Sequence, residues 1–236
     1  MKVYVLGIEA ATPVAGVALT EDGRILAERL VNNRRTHSVN LLPMIKAVIE
    51  EGGITREQVN GIAVSAGPGS FTGLRIGLAT AKTLALAWQV PVVGVSTLEA
   101  LALPLAAPGQ LVCPILNARK NEVYASILRG TTGQPELLAG PLALGIVELA
   151  GILAQWQEPV IFLGDGVPVF KEEIVNLLAD RAVFAPQSAL LPRGAAVAEL
   201  GYRELAAGRG LSPLELKASY IRLSEAEVKL AARCRK

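Results

Sequence analysis

The chain alternates short apolar runs with amphipathic stretches. Val3 to Glu9 is an apolar run that ends on an acid, which predicts a buried strand. A second run, Val14 to Leu19, meets the hairpin turn Glu21-Asp22-Gly23, and Arg24 to Val31 completes three consecutive strands. From His37 to Glu51 the period changes. Leu41, Leu42, Ile45, Val48 and Ile49 form a helical stripe that stops at Gly52-Gly53, and Pro43 falls in the early turns, where a missing amide costs least. Thr55 to Gln58 fits a capping box. Gly61 to Ala66 reads as a strand, about Phe71 to Trp88 as a helix and Pro91 to Val95 as a strand, and Ser96 with Glu99 opens a further helix.

The same order of element types runs a second time from Leu111. Strands are expected at Leu111–Leu116, Glu122–Leu128 and about Glu136–Ala139, then a helix near Leu144–Gln155 and a strand at Val160–Leu163. A helix near Pro168–Ala179, a brief strand Ala182–Phe184 and a helix Gly194–Ala207 follow. Three hairpin-linked strands followed by alternating helices and strands make a mixed sheet flanked by helices. Two such units in tandem predict an α/β, duplicated ribonuclease-H-like (actin-like ATPase) fold with two lobes, residues 1–105 and 106–236. The stretch from Leu214 is expected to be a tail whose helical end, Glu225 to Arg233, packs back on the first lobe.

Composition narrows the function. The 236 residues suffice for two lobes, and 51% apolar residues against 19% charged leave apolar surface over for a partner. A net charge of +2, from 23 basic and 21 acidic residues, gives no electrostatic case for direct nucleic-acid binding. The basic clusters Arg34-Arg35 and Lys229, Arg233, Arg235, Lys236 read as solvated surface. Cys113 and Cys234 lack partners at metal or disulfide-framework spacing. The N-terminal run is too short for a secretory signal, and Pro104, Pro108 and Pro114 break the uncharged stretch 100–118, so neither export nor a membrane span is expected. A reducing, cytoplasmic location is expected.

The candidate chemistry is concentrated in a glycine-rich loop, Gly67-Pro68-Gly69-Ser70-Phe71-Thr72-Gly73. Its glycines Gly67, Gly69 and Gly73 permit close backbone approach, and Ser70 or Thr72 can cap the next helix, whose first amides favour an anion. Each phosphate-loop template fails on spacing: no Gly-Lys follows at the Walker distance, and Thr72 stands where a dinucleotide fingerprint needs its third glycine. A nucleophile elbow fails because Pro68 lies two before Ser70. A tight strand-to-helix turn and an anion site both remain open. In the helix beyond, Gly73, Gly77, Ala81 and Ala85 recur every fourth residue. That stripe serves either close packing on the lobe's own sheet or a subunit interface.

His37 is the one histidine, and Leu41 stands where a paired metal histidine would be, so no metal site and no Ser-His-Asp triad is expected. Acids at strand ends hold a metal or water beside a nucleotide in this architecture. Glu9, with Thr12 following, ends the first strand, but its counterpart in the second repeat is Asn117, which is neither a base nor a good metal ligand. Gly164-Asp165-Gly166 offers one further acid in a common turn sequence. These six residues are a candidate for a vestigial nucleotide site, and no residue is assigned a catalytic role.

The run Gly67-Pro68-Gly69-Ser70-Phe71-Thr72-Gly73-Leu74-Arg75-Ile76-Gly77 resembles the signature of the bacterial TsaB family. Further matches follow along the chain: Glu9-Ala10-Ala11-Thr12, His37-Ser38 before Leu41-Leu42-Pro43, Gly94 to Glu99, Ala118-Arg119 with Glu122-Val123-Tyr124, Gly164-Asp165-Gly166 and Tyr220-Ile221-Arg222. The resemblance implies an actin-like ATPase fold, formerly classed with the glycoproteases. It also implies a partner role beside the catalytic paralogue TsaD, with TsaE joining through ATP hydrolysis. That complex transfers a threonylcarbamoyl group to the adenosine beside the anticodon of tRNAs reading codons that begin with A. On this reading the chain needs no cofactor of its own, while ATP and a metal act in the partner complex. Contact with tRNA is then indirect, and peptidase activity is not expected.

The two long helices resemble those through which the family forms homodimers and the TsaB–TsaD pair. They supply Leu41, Ile45, Gly73, Leu74, Gly77, Leu78 and Ala81 as expected contact residues. The family usually has aspartate where Glu9 and Asn117 stand, which counts against independent ATP hydrolysis. The competing expectation is a small-molecule kinase or ATPase of the actin-like fold.

Overall fold

The computed structural model describes residues 2–33, 36–118 and 120–221. The first unit runs β1 (Tyr4–Glu9), β2 (Ala15–Glu21), β3 (Arg24–Val31), α1 (His37–Glu51), β4 (Val59–Gly67), α2 (Phe71–Trp88), β5 (Val92–Ser96) and α3 (Thr97–Ala102). The second repeats it as β6 (Leu111–Asn117), β7 (Val123–Arg129), β8 (Glu136–Leu144), α4 (Ile146–Leu153), β9 (Val160–Leu163), α5 (Val167–Leu178), β10 (Ala182–Phe184) and α6 (Gly194–Ala206). Each unit forms a five-stranded sheet of one order, β3-β2-β1-β4-β5 and β8-β7-β6-β9-β10. The first three strands of each are antiparallel hairpins and the last two join in parallel. This is the duplicated ribonuclease-H-like fold that the element order predicted.

Alternation along β1 and β4 assigns the two faces of the first sheet. Leu6, Ile8, Ile62 and Val64 pack with Leu41, Ile45 and Val48 of α1 and with Leu78 and Ala81 of α2. Val5, Ala63, Val93 and Val95 point the other way and are covered by Ala196, Val197 and Leu200 of α6. The covering helices are exchanged between the units. Leu98, Leu101 and Ala102 of α3 enter the second core with Ile115, Ile127 and Phe162, while α6 lies on β1, β2 and β4. The division at 105/106 thus falls between the sheets, yet each core borrows a helix from across it. Glu28 of β3 fastens this exchange: its carboxylate accepts the Ala195 amide at 3.0 Å and pairs with Arg193 at the start of α6.

β8 is longer than its expected Glu136–Ala139 span. Gly140-Pro141 reads as a terminator, but β8 is an edge strand, where proline's missing amide removes no ladder bond on the open side. The pairing shifts register between Ala125 and Ile127 opposite it. The described part of the tail packs on the first lobe. Leu211 bridges Val92, Leu216 is buried against the first core, the Ser219 amide donates to the Ala66 carbonyl at 2.7 Å, and the Tyr220 ring lies 5.1 Å from that of Phe71. The expected helix Glu225–Arg233 lies outside the described residues, as do Arg34-Arg35, Arg119, Arg222 and Cys234. Among the described residues no helix is long and apolar enough to cross a membrane.

Candidate functional site

The strand-end acids do not form a metal–nucleotide site. Glu9 and Ser65 extend from adjacent parallel strands on the α6 side of the sheet, and both are buried. The Glu9 carboxylate accepts the Ser65 hydroxyl and the Ala11 amide, the latter at 2.7 Å, and also the Thr12 amide. Burial raises its pKa to about 7, with the three hydrogen bonds offsetting only part of the desolvation. Glu9 is therefore a sealed structural acid rather than a ligand aimed outward. Thr12 is equally engaged: its hydroxyl accepts the Val14 amide at 3.3 Å, and its carbonyl lies 2.8 Å from His37 Nε2.

In the second unit the Asn117 amide donates to Asp165 Oδ1 at 2.9 Å, and burial raises the Asp165 pKa. Gly166 is tied by its amide to the Ile115 carbonyl at 3.1 Å, and a Cβ on Gly164 would overlap the same carbonyl. One half-buried aspartate beside a neutral asparagine is a donor set that does not fit a magnesium-bound triphosphate. No cluster of three metal-ligating side chains occurs among the described residues. Of Glu9, Thr12, Asn117, Gly164, Asp165 and Gly166, expected to mark a vestigial nucleotide site, Glu9 and Thr12 have their polar atoms engaged within the fold.

The motif loop is closed by packing. Gly67 and Gly69 take φ of 126° and 159°, the region that favours glycine, and a Cβ on either would overlap Ser219 or Ala11. The Ser70 amide donates to the Ala11 carbonyl at 2.6 Å, and Ser70 Oγ accepts the Gly73 amide at 3.3 Å as the N-cap of α2. The Leu74 amide is bound to the Ser70 carbonyl at 2.8 Å. Thr72 is exposed on the first turn and is not the cap. A strand-to-helix turn accounts for these contacts, because the amides at 70, 73 and 74 all have partners within the chain.

The seven residues expected to contact a partner, Leu41, Ile45, Gly73, Leu74, Gly77, Leu78 and Ala81, are all buried in the first lobe, and Ile45 also lines a groove between the two helices. The small stripe exists because α2 crosses β1 and β4 closely: a Cβ on Gly77 would stand 3.0 Å from Ala10 Cβ and 3.6 Å from Val64 Cγ2. The surface above belongs to other residues of the same two helices. Leu42 and Leu86 are 56% and 54% exposed. Between the helices an open groove of about 310 Å³ is lined by Leu42, Ile45, Ile49, Leu84 and Trp88, with Lys46, Glu50 and Arg56 at its edges. The helical stripe contained Leu42 and Ile49, but a stripe wider than one face does not say which edge meets the sheet. Ser65, the partner of Glu9, was also missed, although it is the lone polar residue in the run Ile62–Ala66.

Two single residues settle into structural roles. His37 is buried at the first turn of α1 and joins it to the Thr12 loop. Cys113 is fully buried in the second core, which pushes its thiol pKa far up and leaves it inert.

Residues 24–209 match the family described as TsaD: tRNA N6-adenosine threonylcarbamoyltransferase. The chain is 30% identical over 226 residues to the tRNA threonylcarbamoyladenosine biosynthesis protein TsaB of Bacillus subtilis strain 168, covering 95% of this chain and 96% of that one. A Pseudomonas aeruginosa crystal structure, described as similar to the peptidase YeaZ, superposes with a TM-score of 0.80 at 27% identity, over 93% of this chain and all of the other. The ethanolamine utilization protein EutJ of Carboxydothermus hydrogenoformans shares the fold alone, at a TM-score of 0.52 and 12% identity over 84% of this chain and 90% of that one. With sequence similarity along almost its whole length and the same duplicated architecture, the chain belongs to the TsaB/YeaZ family.

Proposed function

We propose that this protein is a non-catalytic subunit in the biosynthesis of threonylcarbamoyladenosine on tRNA, pairing with the catalytic paralogue TsaD through the outer face of α1 and α2. The observation that carries the reading is the open apolar groove between the two helices, where half-buried Ile49, Leu84 and Trp88 meet exposed Leu42, with exposed Leu86 further round α2. Such a groove is the surface of a helix–helix contact, and neither strand-end carboxylate is set up for a phosphoryl transfer of its own. In this arrangement ATP, a metal and TsaE act on the TsaD side, tRNA is held by the complex, and a homodimer through the same face competes with the heterodimer.

The test is reconstitution with TsaD of the same source. A 1:1 complex is expected by light scattering, and adenosine modification by the purified system should need this chain. Leu42→Arg places a charge in the groove without touching the core, so it should weaken the complex at least about tenfold while leaving the melting temperature in place. An unchanged complex would exclude this face as the contact. A small-molecule kinase or ATPase is the competing reading. Tight binding and turnover of magnesium-ATP by the isolated chain, measured by calorimetry and phosphate release, would favour it.

A further inference from the structure

Resting on the proposed pairing, we infer that the α1/α2 face is built for a partner whose contacting helices carry carboxylates along the rim, and that Arg75 is the donor that reads them. The charges on the two helices are unequally satisfied. On α1, Glu50 faces Lys46 at 3.7 Å and Glu51 is paired with Arg29 of β3. α2 contains no acid in its 18 residues, and neither of its cations, Arg75 and Lys82, makes an ion pair among the described residues. They stand seven positions apart, two turns or about 10.5 Å along one side of the helix. Both lie on one helical stripe with exposed Leu86, on the opposite side of α2 from the groove residues Leu84 and Trp88, so the outer face of α2 ends on a cationic edge.

Arg75 is also held in place. Its guanidinium lies 3.8 Å from the centroid of the Phe71 ring one turn earlier, and Phe71 in turn packs against Tyr220 of the tail. A guanidinium held over an aromatic ring has less side-chain freedom left to lose on pairing. The geometry suits a carboxylate approaching in the plane of the fork. A second copy of this chain is the poorer occupant, because it would bring the same two unpaired cations and no unpaired carboxylate on these helices. The tail acquires a role as well: by pinning Phe71 it pins the arginine.

The experiment is titration of TsaD, of the same source, into the wild-type chain and into Arg75→Glu/Lys82→Glu, from roughly 50 to 500 mM salt. The wild type should weaken about tenfold over that range, and the double variant should bind at least about tenfold more weakly at the low end with a flattened slope. Arg75→Lys keeps the charge but not the fork and should lose several-fold, as should Tyr220→Ala. All three positions lie outside the core, and unchanged melting curves exclude unfolding as the cause. Wild-type binding that ignores salt, or a double variant within about twofold of wild type, would overturn the charge reading and leave the pairing intact. A wild-type chain that binds no TsaD at any salt would overturn both.

Discussion

At the scale of single residues, Glu9 is an acid whose behaviour departs far from its type. An acid in solution titrates near 4.5, whereas Glu9 in the fold titrates at about 7. Between those values the unfolded chain has released the proton and the folded chain keeps it. Folded stability therefore falls as pH rises through that window and is level above it, by an amount on the order of 3 kcal/mol. Glu9→Gln has no proton to lose. Its unfolding free energy, followed by denaturant titration from pH 4.5 to 8, should gain on the wild type across the window; parallel profiles would show that the carboxylate is solvated. The acid itself was visible in the sequence as the end of a buried run. Its confinement was not, because that depends on Ser65 from a strand more than fifty positions away.

At the scale of elements, periodicity located the helices well, and the bounds of α1 and α2 match their expected spans. It did not orient them. The every-fourth-residue stripe of Gly73, Gly77, Ala81 and Ala85 marks a close approach, and a close approach to a sheet leaves the same trace as one to a partner. The structure separates the two through Ala10 and Val64, which fill the space a side chain at 77 would need. Gly77→Leu should accordingly destabilise the isolated chain by roughly 1–3 kcal/mol or more through overpacking. Ala79→Leu, on the exposed side of the same helix, should leave stability within about 0.5 kcal/mol. Equal melting temperatures for the two variants would place the stripe at the surface. β8 shows the opposite limit: its central Gly-Pro is a sound local signal for a turn, overridden because an edge strand tolerates it.

At the scale of the whole molecule, the exchange of α3 and α6 makes the two lobes dependent on each other. The repeat in element types revealed two units but not which sheet each final helix would cover, since both helices are apolar enough for either. Without α6, residues 1–105 would leave Val5, Ala63, Val93 and Val95 open to water. They would also lose Val197 and Leu200, each worth roughly 1.5–3 kcal/mol when buried. That loss is a large share of the margin by which a domain of this size is stable. The fragment 1–105 alone should give a collapsed, poorly dispersed amide spectrum. Joining residues 194–221 to it through a flexible linker should restore a cooperative melt, because α6 and the tail segment that buries Leu216 return together. A well-dispersed spectrum from 1–105 alone would mean that the first core closes without its borrowed helix. A fused chain that still fails to melt cooperatively would mean that α3, docked on the second sheet, is part of what holds the first.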